Sequence, residues 1–193
     1  MIYRFVFGPR SEQPIRAAFL DRDGVINVDY AYVHSQENFH FVPGALSGAS
    51  ALVKKGFCPV IVTNQSGIGR GKYSLNEFRD LCFWLAGVFS GQGAPLYAIY
   101  YCPHHPEHAF APFLKDCGCR KPKPGLILQA AEDLNIDLSA SILVGDKASD
   151  IQAAHAAGVG QAVLVRSDGT RDFAPCALPH LSADNLLEAS RLI

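Results

Sequence analysis

Five short apolar runs recur along this chain, none of them alternating with polar residues: Ala17–Leu20, Pro59–Val62, Ala98–Tyr101, Ser141–Val144 and Ala162–Val165. A strand with one wet face alternates, whereas an unbroken apolar run reads as a strand covered on both faces, as in a parallel sheet. Helix signals fill the gaps. Ala45–Lys55 ends at Gly56, a stop signal, and Ser74–Ala86 opens with a serine followed by Glu77 at capping-box spacing. Gly125–Leu134 follows Pro124, and Ser149–Ala157 stops at Gly158. This alternation predicts an α/β fold: an open, mostly parallel, Rossmann-like sheet with helices on both faces. With 193 residues, 49% of them hydrophobic, the chain can bury a core without cross-links. One domain spanning residues 1–193 is expected, with 1–14 as an N-terminal extension and a loop at 102–119 inserted after the third strand. In the tail from Ser167 to Ile193, Ser182 is expected to cap a short helix whose Leu186, Leu187 and Leu192 dock into the core.

In open parallel sheets ligands bind at the carboxyl ends of the strands. Four of the five runs end in useful chemistry. The first enters Asp21-Arg22-Asp23-Gly24 and the second Thr63-Asn64-Gln65-Ser66. The third enters Cys102-Pro103-His104, and the fourth Gly145-Asp146-Lys147 with Asp150 close behind. Taken alone, Asp-x-Asp-Gly is often only a turn. Gathered on one edge, Asp21, Asp23, Asp146 and Asp150 repel one another unless a cation sits among them, and hard oxygen ligands suit Mg²⁺. An EF-hand is excluded, because Gly24 is fourth in the loop and Tyr32 stands where a glutamate is required. Gly67-x-Gly69-x-Gly71 lacks dinucleotide-binding spacing. Thr63 and Asn64 offer a hydroxyl and an amide to phosphate oxygens, and Lys121 or Lys123 offers a fixed charge. Jointly these residues form a phosphoryl-transfer set: a carboxylate nucleophile, a second carboxylate for proton transfer, and cations for the equatorial oxygens.

With 17 basic and 18 acidic residues the net charge is −1, which argues against a nucleic-acid partner. No run approaches the ~18 apolar residues that span a bilayer, and Phe5–Phe7 is too short for a signal peptide. A cytoplasmic, monomeric protein with no membrane association is therefore expected. In a reducing compartment the six cysteines read as core residues, metal ligands or nucleophiles. Cys102, His104, Cys117 and Cys119 form a Cys₃His set suited to structural Zn²⁺, although Cys-x-Cys is tighter than the usual spacing. Such a site would order the loop and place Arg120 and Lys121 directly after a ligand. Cys58, Cys82 and Cys176 read as small hydrophobes.

Asp21-Arg22-Asp23-Gly24-Val25-Ile26, Thr63-Asn64-Gln65-Ser66, Arg120-Lys121-Pro122 and Gly145-Asp146-Lys147-x-x-Asp150 resemble the four motifs of haloacid-dehalogenase-type phosphatases. The resemblance runs from about Ala17 to Arg166. It implies that Asp21 is the nucleophile and Asp23 the general acid/base. It further implies that Asp21, the Asp23 carbonyl and Asp146 hold Mg²⁺ with Asp150 behind them, and that Thr63 and Lys121 stabilise the phosphoryl group. The Arg-Lys-Pro position favours Lys121 over Lys123. The Cys/His loop narrows the resemblance to the subgroup of heptose bisphosphate and histidinol-phosphate phosphatases, which carry no large cap. Gly67-Ile68-Gly69-Arg70-Gly71-Lys72 and Asp29-Tyr30-Ala31-Tyr32-Val33-His34 favour the heptose branch. The implied substrate is a small sugar bisphosphate, D-glycero-D-manno-heptose 1,7-bisphosphate, on the way to nucleotide-activated heptose and lipopolysaccharide core. The implied substrate contacts are Arg22, Asp29, Tyr32, Asn64, Gln65, Ser66, Arg120 and Lys147, since a second phosphate needs cations. Histidinol phosphate carries an ammonium and would prefer carboxylates. A zinc-stabilised module that binds a phospho-ligand without turnover is the reading from another class, against which the Asp21/Asp23 pair argues.

Overall fold

The computed structural model describes residues 2–166 and 175–193. In chain order its elements are β1 (Tyr3–Val6), β2 (Arg16–Leu20), a 3-10 turn (Gln36–Asn38), α1 (Ala45–Lys54), β3 (Phe57–Asn64), α2 (Ser66–Gly69) and α3 (Leu75–Gly91). There follow β4 (Ala98–Cys102), α4 (Gly125–Leu134), β5 (Ile142–Gly145), α5 (Ala148–Ala157), β6 (Gln161–Val165), β7 (Leu181–Ala183) and α6 (Leu186–Leu192). The sheet order is β1-β4-β3-β2-β5-β6-β7, parallel except for β1. Adjacent residues of a strand serve opposite faces. Leu20 and Ile61 pack with Leu52, Phe78, Phe89 and Leu186 of α1, α3 and α6. Phe19 and Val60 pack with Leu126, Ile127 and Ile151 of α4 and α5. Each such large side chain contributes about 1.5–3 kcal/mol when fully buried. That two-sided burial is why these runs do not alternate.

From β2 the chain builds outward through β3 to β4, then returns to the other side of β2 with β5. This reversal opens a crevice between the carboxyl ends of β2 and β5, where such sheets bind ligands.

Several expectations need correction. Residues 1–14 are not wholly an extension, because β1 pairs antiparallel with β4, Tyr3 opposite Tyr101, and its aromatics stack on the sheet edge. Helix α3 has the expected capping box but continues past Ala86 to Gly91. Ser182 lies in β7, and the last helix is capped by Asn185, whose side chain accepts from the Glu188 N–H. There Leu186 is buried but Leu192 is exposed, so it does not dock as expected. Residues 167–174 of the tail lie outside the described residues.

Candidate active site

Asp21 leaves the end of β2 with its N–H bonded to the Val144 carbonyl of β5, which aims its carboxylate into the crevice. Lys121 arrives from the loop before α4 and is 4% exposed. Its ammonium lies 3.0 Å from Asp21 Oδ1 and 2.5 Å from Asp150 Oδ1, and donates to the Val62 carbonyl at 2.8 Å. Asp150 also accepts the Lys147 N–H, so both its oxygens are engaged. One oxygen from each of Asp21, Asp146 and Asp150 lies within 4.8 Å of the others. Gly24 is required beside them. Its φ is +89°, and a Cβ there would stand 2.2 Å from Asp146 Oδ2.

Burial drives the Asp21 carboxyl up to about 7; Lys121 opposes this, and the neighbouring Asp150 and Asp146 add to it. For Lys121, burial disfavours the charge, but Asp150 and Asp21 outweigh it and the ammonium is held more firmly than usual. Three carboxylates face the buried Lys121 ammonium and the more exposed Lys147, 3.8 Å from Asp146, which leaves an excess of negative groups at the cleft floor. A hard divalent cation fits that donor set.

Asp23, two residues on, is held differently. Burial pushes its carboxyl up, but the Arg22 charge, with hydrogen bonds from Arg22, Asn27 and Gln65, overcomes this and holds it below the usual carboxylate range. The Arg22 guanidinium reaches Asp23 Oδ1 and Oδ2 at 2.7 and 2.9 Å and donates to the Val33 carbonyl at 2.8 Å. At 1% exposure Arg22 is sealed behind the site and does not line the cleft, so its expected substrate contact is corrected. The charge is buried because it has a carboxylate to pair with.

Asn64 and Gln65 line the cleft, but their amides serve the site's own residues rather than standing free for substrate, as had been expected. Asn64 accepts the Lys121 N–H and donates to the Lys121 carbonyl, both at 3.1 Å, which pins the lysine's backbone. Gln65 Nε2 reaches Asp23 Oδ2 and Thr63 Oγ1, each at 2.9 Å. Lys123 stands apart on the surface, paired with Asp116.

The cleft has a volume of about 450 Å³, with Asp21, Asp23, Thr63 and Lys121 among its lining residues. The expected residues Asp29, Tyr32, Ser66, Arg120 and Lys147 also line it. Lys147 donates to Asp29 Oδ2 at 3.1 Å, and the Arg120 guanidinium holds the His104 carbonyl. Tyr32 sits in the left-handed region, φ 57°, after Ala31 at 59°. Two residues with a part in the site escaped the sequence reading. Asn27 donates to Asp23, and the Tyr73 hydroxyl meets Gln65 Oε1 at 2.5 Å. For Asn27 the signal is a polar residue closing the turn after Asp21-Arg22-Asp23-Gly24. Tyr73 has none, because it reads as one more aromatic before a helix.

Cys102 at the end of β4, His104 just after it, and Cys117 and Cys119 from the loop converge. Their Sγ–Sγ separations are 3.5, 3.2 and 3.3 Å, and His104 Nδ1 lies 3.5 Å from Cys102 Sγ and 3.4 Å from Cys119 Sγ. A disulfide needs about 2.05 Å, so these are thiols. With metal–sulfur bonds of about 2.3 Å the ligand edges of a tetrahedron are about 3.8 Å, slightly wider than found here. The four donors fit one Zn²⁺. The Cys119 thiol is pulled down to about 5, chiefly by the hydrogen bond it shares with Cys102, whose own thiol is pushed up.

A family described as HAD-hydrolase-like matches residues 118–189. A D-glycero-beta-D-manno-heptose-1,7-bisphosphate 7-phosphatase of Vibrio cholerae is 52% identical over 151 residues, 78% of this chain and 81% of that protein. The alpha-heptose counterpart of Burkholderia mallei is 51% identical over 150 residues, 78% of this chain and 79% of that one. A D,D-heptose 1,7-bisphosphate phosphatase structure from B. bronchiseptica, complexed with magnesium and phosphate, superposes with a TM-score of 0.81. It is 29% identical and covers 92% of this chain and 97% of that one. No helix among the described residues is long and apolar enough to cross a membrane.

Proposed function

The chain belongs to the haloacid-dehalogenase-like phosphatases, and on that premise we propose that it removes the 7-phosphate of D-glycero-D-manno-heptose 1,7-bisphosphate. One observation carries the reading. A buried lysine touches a strand-end carboxylate at the floor of the cleft, while Arg120 and Lys147 line the same cleft. That supports a reading in which positive charge meets two phosphates of one small molecule.

Asp21 attacks phosphorus, and the bond from phosphorus to the sugar oxygen breaks. Asp23 gives that oxygen a proton, then takes one from the water that attacks phosphorus and frees Asp21. In the resting site Asp23 is held ionised by Arg22, Asn27 and Gln65; an incoming phosphate dianion favours its protonated form. Lys121 and Thr63 hold the phosphoryl oxygens through the transition state. Asp21, Asp146 and the Asp23 carbonyl would hold Mg²⁺, and Asp150 keeps Lys121 in place behind them. When bound, Mg²⁺ neutralises charge on the phosphoryl oxygens. Cys102, His104, Cys117 and Cys119 would hold a structural Zn²⁺ that orders the loop presenting Arg120 and Lys121. A reducing compartment such as the cytoplasm keeps those thiols available. The product would feed nucleotide-activated heptose for lipopolysaccharide core.

The test is phosphate release with Mg²⁺ from both anomers of the bisphosphate and from histidinol phosphate, compared as kcat/KM. The heptose bisphosphate should be preferred, and release should stop at one phosphate. A preference for histidinol phosphate would overturn the substrate. Phosphate-dependent binding with no release would make the protein a binding module instead.

A further inference from the structure

In the wall of the cleft, Gln65 is 2% exposed and Tyr73 5%, and their side chains are hydrogen-bonded to each other. An ionised carboxylate only accepts, so the end of Gln65 that faces Asp23 must be its NH₂. That leaves Oε1 for Tyr73, whose hydroxyl must donate to it. Both hydrogens of Nε2 are then assigned, one to Asp23 Oδ2 and one to Thr63 Oγ1. Thr63 Oγ1 accepts, so its own proton is left to point at another acceptor in the cleft. The tyrosine ring is itself wedged. It stacks on His34 at 5.0 Å and 8°, and on its other neighbour Phe78 at 6.2 Å. A Cβ added at Gly67 would lie 2.2 Å from Tyr73 Cε1 and 2.9 Å from Tyr32 Cδ1. The backbone of α2 has been kept bare where the ring passes.

We infer that Tyr73 is a positioning residue: through Gln65 its hydroxyl fixes the Asp23 carboxyl and the Thr63 hydroxyl together in their working orientations. Tyr73 itself delivers no proton to substrate. Burial pushes its hydroxyl well above the usual phenol range, which keeps it a donor. The inference rests on the reading of Asp23 as proton donor to the leaving oxygen. It goes beyond that reading by naming a residue that no motif contains.

The two roles separate on leaving groups. A sugar oxygen leaves badly without a proton, while p-nitrophenolate needs none. Tyr73→Phe keeps the ring and loses only the hydroxyl, and Gln65→Met keeps the volume and loses both donors. Each should reduce kcat on the heptose bisphosphate by about 10–100-fold, the scale of a misplaced catalytic group. KM should change little; p-nitrophenyl phosphate still needs Thr63 and the water activated by Asp23, so it should also lose activity, but at least several-fold less. Gly67→Ala, which pushes the ring aside, should reproduce the Tyr73→Phe pattern. The ratio of the two activities on one preparation is insensitive to the folded fraction. Equal losses on both substrates, or none, with an active wild type overturn this inference alone. A wild type inert on both substrates overturns the phosphatase reading and this inference with it.

Discussion

Two clusters, one of carboxylates and one of thiols, lie along the same carboxyl edge of the sheet and treat crowding in opposite ways. Among Asp21, Asp146 and Asp150, burial first and the neighbouring carboxylates second push the Asp21 carboxyl up to about 7 despite Lys121. Cys102 and Cys119, by contrast, share a thiol hydrogen bond that pulls Cys119 down to about 5 and pushes Cys102 up. Crowding among the carboxylates makes one of them harder to ionise, whereas crowding among the thiols makes one of them easier to ionise. The supports differ as well. The carboxylates hang from the end of β2, the β5–α5 turn and the first turn of α5, whereas the thiols tie one loop to the end of β4. Damage should therefore pass from the thiols to the carboxylates, because Lys121 follows Cys119 by two residues, and should not pass back.

The largest effect tests the second half of that statement. Asp21→Asn should lower kcat on the order of 10⁴-fold or more, as loss of a nucleophile does. Zinc should remain at one ion per chain by metal analysis. Residual turnover above a few per cent would refute Asp21 as nucleophile, and lost zinc would break the asymmetry. Next, Cys117→Ser should release the zinc and lower kcat about 10–100-fold through a loosened Lys121. It should also cost about 2–5 kcal/mol of stability, like losing a cross-link, seen as a lower Tm. A zinc-free variant with full activity would show that the two clusters are independent.

A smaller effect is expected for Asn64→Ala, which removes both bonds pinning the Lys121 backbone. We expect a loss of about 1–3 kcal/mol in denaturant unfolding, with kcat reduced and zinc retained. The smallest effect is a pH effect on the metal-free protein. A carboxyl whose folded pKa lies above its unfolded value binds its proton more tightly when folded. The metal-free fold should therefore lose stability as pH rises from the ordinary carboxylate range through about 7. In EDTA, Tm should fall between pH 5.5 and 8. Added Mg²⁺ should raise Tm more at pH 8 than at pH 5.5; equal increments would assign the excess charge elsewhere.

The parallel core was legible because apolar runs of four residues bounded by turn signals leave few options, and the strand-end rule then collected the site. The edges were not. β1 is a four-residue strand whose residues alternate between intermediate and exposed, and only pairing with β4 makes it a strand. Ser182 looked like a cap, yet three residues of it and its neighbours add β7 to the sheet. Within the site, residue types pointed to chemistry but not to who holds whom. Arg22, Asn64 and Gln65 look like substrate ligands because charges and amides normally seek water or a ligand. Here they are spent on Asp23, Lys121 and Thr63, partners separated by up to 57 residues in the case of Asn64 and Lys121. Such pairings exist only in three dimensions.

β2 and β5 are hydrogen-bonded neighbours, yet more than half the chain separates Leu20 from Val144. Asp21 and Asp146 meet only after that pairing has closed. A nascent chain that has not yet reached Asp146 carries its nucleophile with only part of the acidic partnership that serves it. Activity should therefore switch on late in synthesis and all at once, leaving no half-made enzyme to act on stray phosphates. Equally, a nick in a surface loop that lets β5 slide from β2 should silence the site even with every site residue still present.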